Sequence, residues 1–455
     1  MEGCITVSST ANWDALQADA VATLSRYVQF DTTNPPGNEL SAAEWLRDQL
    51  RDRGITRDVT IHEPAAGRGL VVGRIAGSES LKPLLINHHI DVVGADPTQW
   101  THPPFSGAVA EGFVWGRGTL DTKNLGVVFL LALDSLLREG VRFRRPIIFL
   151  AVPDEEAGGH AGMRWLTERH LAGLDPEWVW DEGSGGLHGM FGDRTMFGIA
   201  VAEKRPHDVR LIASGDPGHG SMPHANNAVV TLAAALERLR RTPRPLRTNA
   251  VTAGMFRALA GTQKFPASFL LRHLDQPAIL RLLSGRLSSD RLMGAALRDT
   301  VSPTILRAGY KINVIPERAE AELDCRLLPE TDAAEFVRWL EAVIGDKRVR
   351  VEAAEGAPPS GVAPMDSPFY EAVKRAVTAY APGAELFPLL MPGATDGRYF
   401  RQRGYAAYGF GPAILERADL GRVHGIDERI SVENLILGVK MARDIIRDLC
   451  VGHEG

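Results

Sequence analysis

Cysteine is scarce in this sequence, and its few thiols lie far apart. The 455 residues contain only Cys4, Cys325 and Cys450. An odd and scattered set of this kind does not form the disulfide framework of a small secreted domain. It also lacks the closely spaced pairs that bind zinc through thiolates. The cysteine count therefore excludes both of these classes.

Long apolar runs are also missing. The longest run, Val127 to Leu133, has seven residues, whereas a membrane span needs about 18 or more. The segment Met1 to Trp13 shows no basic region followed by an apolar core, so it does not have the form of a secretory signal. We therefore expect a cytoplasmic protein without a membrane partner.

Positive charge is not in excess. The chain has 51 Lys and Arg against 56 Asp and Glu, a net charge of −5. This balance argues against a basic surface that binds nucleic acid. Hydrophobic residues make up 44% and charged residues 24%, which is typical of globular proteins. At about 150 residues per domain, we expect two or three folded domains.

Strand-like and helical segments alternate between residues 14 and 203. Short apolar runs predict strands at 70–75, 84–90, 146–152 and 178–180, and longer amphipathic or buried stretches predict helices at 42–50 and 123–137. This alternation indicates an α/β domain with a mixed or mostly parallel central sheet.

A smaller α/β layer is predicted from residue 204 onward. Strands are expected at 208–213, 319–327 and 348–352, and residues 249–305 have a mostly helical pattern. A helix after the first of these strands has an apolar face formed by Val229, Leu232, Ala233, Leu236 and Leu239.

After Pro358 the pattern of the first domain returns, and it closes with a helix that begins at Ser431. We therefore predict that residues 1–203 and 354–455 form one domain. Residues 204–353 would form a smaller domain inserted into it.

His89 and Asp91 follow the predicted strand at 84–90. Side chains two residues apart on a strand point to the same face. His89 could therefore bind a metal ion while Asp91 accepts the other ring N–H and fixes the tautomer. The alternative is a hydrogen-bonded core pair at a strand end, which the tripeptide taken alone favours.

Further carboxylates stand at other loops of the predicted sheet. Asp121 lies in a glycine-rich loop before a buried helix, where it is either an N-cap or a carboxylate that bridges two metals. Asp154, Glu155 and Glu156 directly follow a central strand, and ligands of open α/β sheets collect at that edge. Because burying an unpaired carboxylate costs several kcal/mol, these acids are either a surface turn or a binding site.

Asp181 and Glu182 repeat this arrangement after another strand, and His424 lies in a loop before the final helix. Alone, each has a structural explanation. Together with the groups above, they form a set of nitrogen and oxygen ligands: His89, Asp121, Glu156, Glu182 and His424. Such donors suit zinc, or cobalt or manganese in its place. A bridging Asp121 with two ligands on each side predicts a two-metal site, and Glu155 is the natural general base.

These motifs give the chain a strong resemblance to one family. It resembles the dinuclear-zinc metallopeptidases that include aminoacylase, carboxypeptidase S, acetylornithine deacetylase and succinyl-diaminopimelate desuccinylase, and it is most similar to the first two branches. The shared landmarks are His89-Ile-Asp91, Gly116-Arg-Gly-Thr-Leu-Asp121, Asp154-Glu-Glu156, Asp181-Glu-Gly183, Gly218-His219, Asn313, Thr395-Asp396 and His424-Gly425.

The resemblance implies a zinc-peptidase-like catalytic domain with a central mixed, mostly parallel sheet, and an inserted lid that often dimerises. It implies that the five ligands hold two zinc ions per subunit, with Asp121 shared. Asp91 would orient His89, and Glu155 would be the base. Glu182, rather than Asp181, would be the ligand, and a cis peptide would follow Asp121.

The resemblance also implies residues that contact substrate. His219 would reach the active site of a partner subunit and stabilise the oxyanion. Asn313 and Arg326 would bind substrate from the lid, because a guanidinium can donate two parallel hydrogen bonds to a carboxylate. Gly393 and Thr395 would line the site of the substrate carboxylate. From the residues alone, His219 is an exposed loop histidine and Arg326 a surface charge.

The activity implied by the resemblance is metal-dependent hydrolysis of the amide bond of N-acyl amino acids. Two zinc ions would activate a water molecule, with a glutamate as general base. The alternatives are a carboxypeptidase or dipeptidase that acts on short peptides, and a reversible N-acyl amino acid synthase/hydrolase. A non-catalytic binding protein is a further class, against which Glu155 and the complete ligand set argue. The Leu-rich stretch 265–297 would form lid core or an apolar acyl pocket.

Overall fold

The computed structural model describes residues 12–190, 194–354 and 358–451. In these ranges the chain divides into two compact units. The first comprises the described residues of Met1–Val201, Ala363–Leu389 and Thr395–Gly455, and the second those of Ala202–Val362 and Leu390–Ala394. Cys4 and most of the segment from Met1 to Trp13, which lacks the form of a secretory signal, lie outside the described residues.

The first unit holds most of the strands. They are β1 (Val59–His62), β2 (Leu70–Ile75), β3 (Leu84–His89), β4 (Val109–Ala110), β5 (Phe113–Trp115), β6 (Ile147–Val152), β7 (Trp178–Asp181), β8 (Gly186–His188), β9 (Met196–Glu203), β17 (Glu385–Met391), β18 (Ala406–Gly409), β19 (Ile414–Glu416) and β20 (Arg429–Ser431). The chain passes from one unit to the other within β9 and again within β17.

The helices of the first unit alternate with groups of these strands along the chain. They are α1 (Trp13–Val28), α2 (Leu40–Asp52), α3 (Lys123–Arg138), α4 (Met163–Arg169), α11 (Pro368–Tyr380), α12 (Gly397–Arg401), α13 (Arg417–Leu420) and α14 (Val432–Cys450). The predicted closing helix is confirmed as α14. Its N-cap is Ser431, whose hydroxyl accepts the N–H of Asn434 at 3.1 Å.

The main sheet is mixed, as predicted. Its strand order is β1-β2-β6-β3-β7-β18-β9-β8-β19, and β17 pairs with β9. The four central strands, β6, β3, β7 and β18, run parallel, whereas β1, β2, β8 and β9 add antiparallel pairs at the flanks. Every residue of β3 and β6 is buried. Burial on both faces explains why β6 is a continuous apolar run rather than an alternating one, and why β3 begins with three apolar residues before its buried Asn87, His88 and His89.

Helix α3 lies at the centre of the helical packing in the first unit. It packs on α1, α14 and β3 and buries most of its residues. Phe129 of this helix meets the ring of Trp180 on β7 at a centroid distance of 4.9 Å, and Phe369 of α11 meets the same ring at 5.7 Å. The loop that starts α3 is therefore anchored on a rigid core.

The second unit has strands β10 (Arg205–Pro206), β11 (Val209–Ser214), β12 (Gly218–His219), β13 (Thr300–Ala308), β14 (Val314–Ile315), β15 (Arg318–Leu327) and β16 (Val349–Ala353). Its helices are α5 (Ala228–Arg241), α6 (Ala250–Ala260), α7 (Ala267–Arg272), α8 (Pro277–Ser289), α9 (Arg291–Ala296) and α10 (Ala333–Ile344).

The sheet of the second unit is antiparallel. Strand β15 pairs with β13 on one side and with β10 and β11 on the other, and β16 pairs with β11. Residues of β15 alternate between buried and partly exposed, as in a sheet with one covered face. Leu232 of α5, Phe336 and Leu340 of α10 cover that face.

Two predictions for the second unit are partly wrong. Residues 300–305 are strand rather than helix, because β-branched residues such as Val301 and Ile305 suit the pairing of β13 with β15. On α5, Val229 and Ala233 are exposed, and Thr231 and Ala235 are buried instead. Short side chains let the helix approach the sheet closely, which a search for large apolar residues overlooks.

The Leu-rich stretch 265–297 is only partly buried. Leu274, Leu287 and Leu297 are buried, but Phe265 is 81% exposed and Leu282 is 71% exposed.

Cys325 and Cys450 are buried free thiols. Among the described residues, no helix combines the length and the apolar character needed to cross a membrane.

Candidate metal centre

His89 ends the central strand β3 and is almost fully buried. Its Nδ1 lies 2.8 Å from the carbonyl oxygen of Asp91, so Nδ1 is the protonated donor. This fixes the tautomer and leaves Nε2 free to act as a ligand. Nε2 lies 2.9 Å from Oδ1 of Asp121 and 3.6 Å from Oε2 of Glu182.

His424 approaches the same carboxylate from the other oxygen. Its Nε2 lies 3.0 Å from Oδ2 of Asp121 and 3.1 Å from Oε1 of Glu156. Asp121 therefore presents one oxygen to His89 and the other to His424. Each histidine also has a glutamate of its own, which is the arrangement of a carboxylate shared between two sites.

The N-cap alternative for Asp121 does not apply. Helix α3 begins at Lys123 with Thr122 at the N-cap position and without a capping hydrogen bond from its side chain. The Thr122 hydroxyl instead accepts the main-chain N–H of His89 at 3.3 Å. The cis peptide that the resemblance implies is present between Asp121 and Thr122.

The carboxylate of Asp91 has different partners from those expected. Its Oδ1 is 3.7 Å from Nδ1 of His89, whose hydrogen bond goes to the Asp91 carbonyl instead. The two carboxylate oxygens accept the main-chain N–H groups of Glu155 and Glu156, each at 3.1 Å. These donors belong to a partly buried turn, and Asp91 supplies their acceptors. Asp91 therefore holds the turn that carries Glu155 and Glu156.

Asp154 opens this turn in the left-handed region, at a φ of 73°. Its carboxylate is buried and accepts from Asn34 at 3.2 Å and from Arg68 at 3.0 Å. The same guanidinium also pairs with buried Glu39. The turn is therefore not a solvated surface turn. The sequence does not predict the roles of Arg68 and Glu39, because no local pattern links these distant residues to Asp154.

The structure separates the roles of Asp181 and Glu182. Asp181 accepts the side-chain amide of Asn87 at 2.7 Å and the main-chain N–H of Gly397 at 2.6 Å, so its oxygens are engaged in the fold. Glu182, the next residue, turns towards His89. This geometry favours Glu182 as the ligand.

Charges in the cluster are strongly perturbed. Burial raises the pKa of Glu182 to about 8. Burial and the nearby charge of Glu182 raise the pKa of Glu155 well above its usual range. Hydrogen bonds to Asp121 and Glu156 raise the pKa of His424 to about 10. Buried carboxylates this close together repel one another, and a cation bound among them would stabilise their charged forms.

The donor set fits divalent metal ions. Ligand atoms lie within 4.8 Å of one another in two sets, His89 with Asp121 and Glu156, and His89 with Glu155 and Glu182. Imidazole nitrogens and carboxylate oxygens without thiolate are donors that zinc accepts. The buried, mutually repelling carboxylates provide the charge that such ions neutralise.

Three of the other predicted residues lie in the second unit on or near its strands. His219 is on β12 and Asn313 directly precedes β14, which pairs with β12. Gly220 donates its N–H to the Asn313 carbonyl at 2.9 Å, and Ser221 donates its N–H to Nδ1 of His219 at 3.2 Å. Arg326, on β15, pairs with Asp324 through Nε at 2.7 Å.

The last two predicted residues lie close together in sequence but in different units. Gly393 is exposed and belongs to the second unit, and Thr395 is buried and belongs to the first. The carbonyl of Thr395 accepts the N–H of Arg398 at 3.2 Å, at the start of α12.

Known proteins are similar to this chain in sequence. Residues 85–448 match the model of peptidase family M20/M25/M40. The N-fatty-acyl-amino acid synthase/hydrolase PM20D1 of Xenopus tropicalis is 33% identical over 82% of this chain and 74% of its own length. A probable carboxypeptidase S-like 2 of Dictyostelium discoideum is 32% identical over 78% and 69%.

A solved structure confirms the fold. The M20 family metallo-carboxypeptidase Sso-CP2 of Sulfolobus solfataricus superposes with a TM-score of 0.72 and 18% identity, covering 94% of this chain and 98% of its own. The chain therefore belongs to the M20/M25/M40 peptidase family, and the resemblance drawn from its motifs is confirmed.

Proposed function

We propose that this protein is a metal-dependent amidohydrolase that cleaves the amide bond of N-acyl amino acids. The observation that carries the proposal is the position of Asp121, with one oxygen at His89 and the other at His424. Glu155 lies beside this set, and family membership supports hydrolysis as the reaction class.

His89 and Glu182 would hold one metal ion and His424 and Glu156 the other, with Asp121 shared between them. We propose zinc as the native metal, with cobalt or manganese as substitutes. When bound, such ions polarise an amide carbonyl and make a water molecule more acidic.

Glu155 would act as the general base. It stands on the turn that Asp91 holds, and its carboxylate is within reach of both His89 and Glu182. It would take the proton of the attacking water and pass it to the nitrogen of the leaving amine. Asp91 would position both Glu155 and Glu156 through their main-chain N–H groups.

His219 is proposed as the donor to the substrate carbonyl oxygen. Because Nδ1 accepts the N–H of Ser221, the neutral ring carries its proton on Nε2, where it can be donated. In the proposed homodimer, this donor would serve the active site of the partner subunit. Asn313, Arg326, Gly393 and Thr395 would contact the substrate and its carboxylate. Arg326 would exchange its bond with Asp324 for one with the substrate.

The inserted domain, predicted at 204–353, is proposed as a lid and dimerisation domain. Strand β13 is an edge strand of nine residues, with Leu306 63% exposed. Long exposed edges are templates for pairing with a second chain. The cytoplasmic location stays a prediction from the sequence.

Two alternatives keep the same catalytic groups. The likeness to a carboxypeptidase S-like protein favours a carboxypeptidase or dipeptidase that releases a C-terminal amino acid. The likeness to an N-fatty-acyl-amino acid synthase/hydrolase favours long acyl substrates and a reversible reaction. Both differ from the main proposal on the acyl side or in direction.

A mass-spectrometric panel on the purified protein tests the proposal. It contains N-acetyl, N-aromatic-acyl and N-long-acyl amino acids and several dipeptides, each with chelator and with restored zinc. We expect cleavage of N-acyl amino acids that chelator abolishes and zinc restores. Cleavage of dipeptides alone would establish the carboxypeptidase or dipeptidase alternative. No cleavage of any class in the presence of zinc would contradict the proposal.

A further inference from the structure

Glu428 lies four residues after His424 and is completely buried. Its Oε1 accepts three main-chain N–H groups, from Leu120 at 2.7 Å, Gly118 at 3.1 Å and Asp121 at 3.2 Å. One carboxylate oxygen thus binds three N–H groups of the loop that ends at Asp121. A buried carboxylate used in this way fixes the main chain at the point where the shared ligand emerges.

The second oxygen of Glu428 binds Arg117, which is also buried. Nη1 of Arg117 donates to Oε2 of Glu428 at 2.6 Å, and Nη2 donates to the carbonyl of Gly425 at 2.9 Å. Gly425 directly follows His424. The same ion pair therefore connects the loop of Asp121 with the loop of His424.

The loop of His424 has an unusual main chain. His424 and Asp427 both lie in the left-handed region, at φ values of 59° and 56°. This conformation is uncommon for residues other than glycine. The carboxylate of Asp427 accepts the N–H of Thr101 at 2.8 Å and its hydroxyl at 2.9 Å. The loop is therefore held at Gly425 and at Asp427, directly before Glu428.

We propose that Glu428 is a positioning residue for the metal pair, which sets the spacing between Asp121 and His424. It acts on Asp121 through the main-chain N–H groups and on His424 through Arg117. The inference rests on the proposed function, because it requires metal ions at these two ligands. A purely structural role would stabilise the fold and leave metal affinity unchanged.

The test is zinc affinity in Glu428→Gln, measured by competition with a chromophoric chelator. Glutamine keeps one oxygen acceptor but places an NH₂ donor at the position of the other carboxylate oxygen. This NH₂ group would face another donor, either Arg117 or the N–H groups of the loop. We expect zinc binding to weaken about 10- to 100-fold at one or both ions, the usual effect of losing an outer-shell partner. Urea unfolding of the metal-free protein is measured in parallel.

Glu139→Gln is the matched control. Glu139 follows α3, at the opposite end of the helix from Asp121 and about 24 Å along its axis. Its carboxylate accepts from Arg443 at 2.6 Å and from Arg447 at 2.7 Å. We expect this variant to lower stability towards urea while zinc affinity equals that of the wild type.

Arg117→Lys decides the matter if Glu428→Gln does not fold. Lysine keeps the positive charge but cannot donate to both Glu428 and Gly425 in the same geometry, so we expect zinc affinity to fall here as well. Wild-type zinc affinity in a folded variant would overturn the inference. A wild-type protein that binds no zinc would instead overturn the proposed function.

Discussion

The imidazole of His424 lies 3.0 Å from Oδ2 of Asp121, although the two residues are far apart in the sequence. Asp121 precedes α3, whereas His424 precedes α14, and these two helices pack against each other. The contact is therefore a product of the central helix packing.

Chelation is expected to destabilise the protein. A ligand that binds only the folded state stabilises it by about 2.7 kcal/mol when its free concentration is 100 times Kd. We therefore expect a lower Tm in the presence of chelator and full recovery on addition of zinc, both by scanning calorimetry. Equal Tm values under the three conditions would argue against a bound metal.

Asp181 and Glu182 form a matched pair of variants. Glu182→Gln is expected to weaken zinc binding at the ion shared with His89 and to change the free energy of unfolding of the metal-free protein little. Asp181→Asn is expected to cost about 1–3 kcal/mol of stability, because it disturbs buried hydrogen bonds with Asn87 and Gly397. Zinc titration and urea unfolding distinguish the two effects. If Asp181→Asn weakened zinc binding and Glu182→Gln did not, Asp181 would be the ligand.

Replacement of the proposed base separates chemistry from metal binding. Glu155→Gln removes the proton acceptor but keeps the shape of the side chain. We expect kcat to fall about 10²- to 10⁴-fold, the range typical of a positioned general base, with two zinc ions still bound. Near wild-type kcat would exclude Glu155 as the base, and loss of zinc would make it a ligand.

Buried charge should matter more than exposed charge. Arg68→Met leaves Glu39 and Asp154 without their guanidinium, so we expect a loss of about 3–5 kcal/mol. Arg144→Met removes an ion pair with Glu79 in which both side chains are nearly half exposed. That change should cost no more than about 1 kcal/mol. Similar losses in urea unfolding would contradict the assignment of a buried network.

The edge strand predicts how the oligomer is built. Leu306→Asp places a charge on exposed β13 and should turn the proposed dimer into a monomer in light scattering after size exclusion. Leu282→Asp is the control, because Leu282 is at least as exposed as Leu306 but lies on α8. A dimer that withstands Leu306→Asp would place the interface elsewhere.

Much of the fold could be predicted where the sequence pattern is local. Strand β6 is an apolar run, β3 and β7 begin with apolar residues, and the polar residues at or after the ends of these strands form the centre. The pattern failed at residues 300–305, where only pairing with β15 distinguishes strand from helix. It also failed on α5, where small residues rather than Val229 face the sheet.

The ligand cluster was predictable for a different reason than its supports were. His89, Glu156 and Glu182 each stand at a strand end, so their meeting follows from the parallel centre of the sheet. Arg68, Glu39 and Glu428 are long-range partners of main-chain and carboxylate groups. The position of such a partner depends on packing between distant segments, and an isolated charged residue in the sequence gives no sign of it.

Zinc stoichiometry in the wild type and in Asp121→Ala tests the central claim most directly. The metal-free proteins are titrated with zinc, and bound metal is counted by mass spectrometry of the desalted samples. A shared carboxylate predicts two zinc ions per wild-type chain and loss of tight binding at both in the variant. A single ion in the wild type, or two ions retained by the variant, would contradict a pair of metals joined through Asp121.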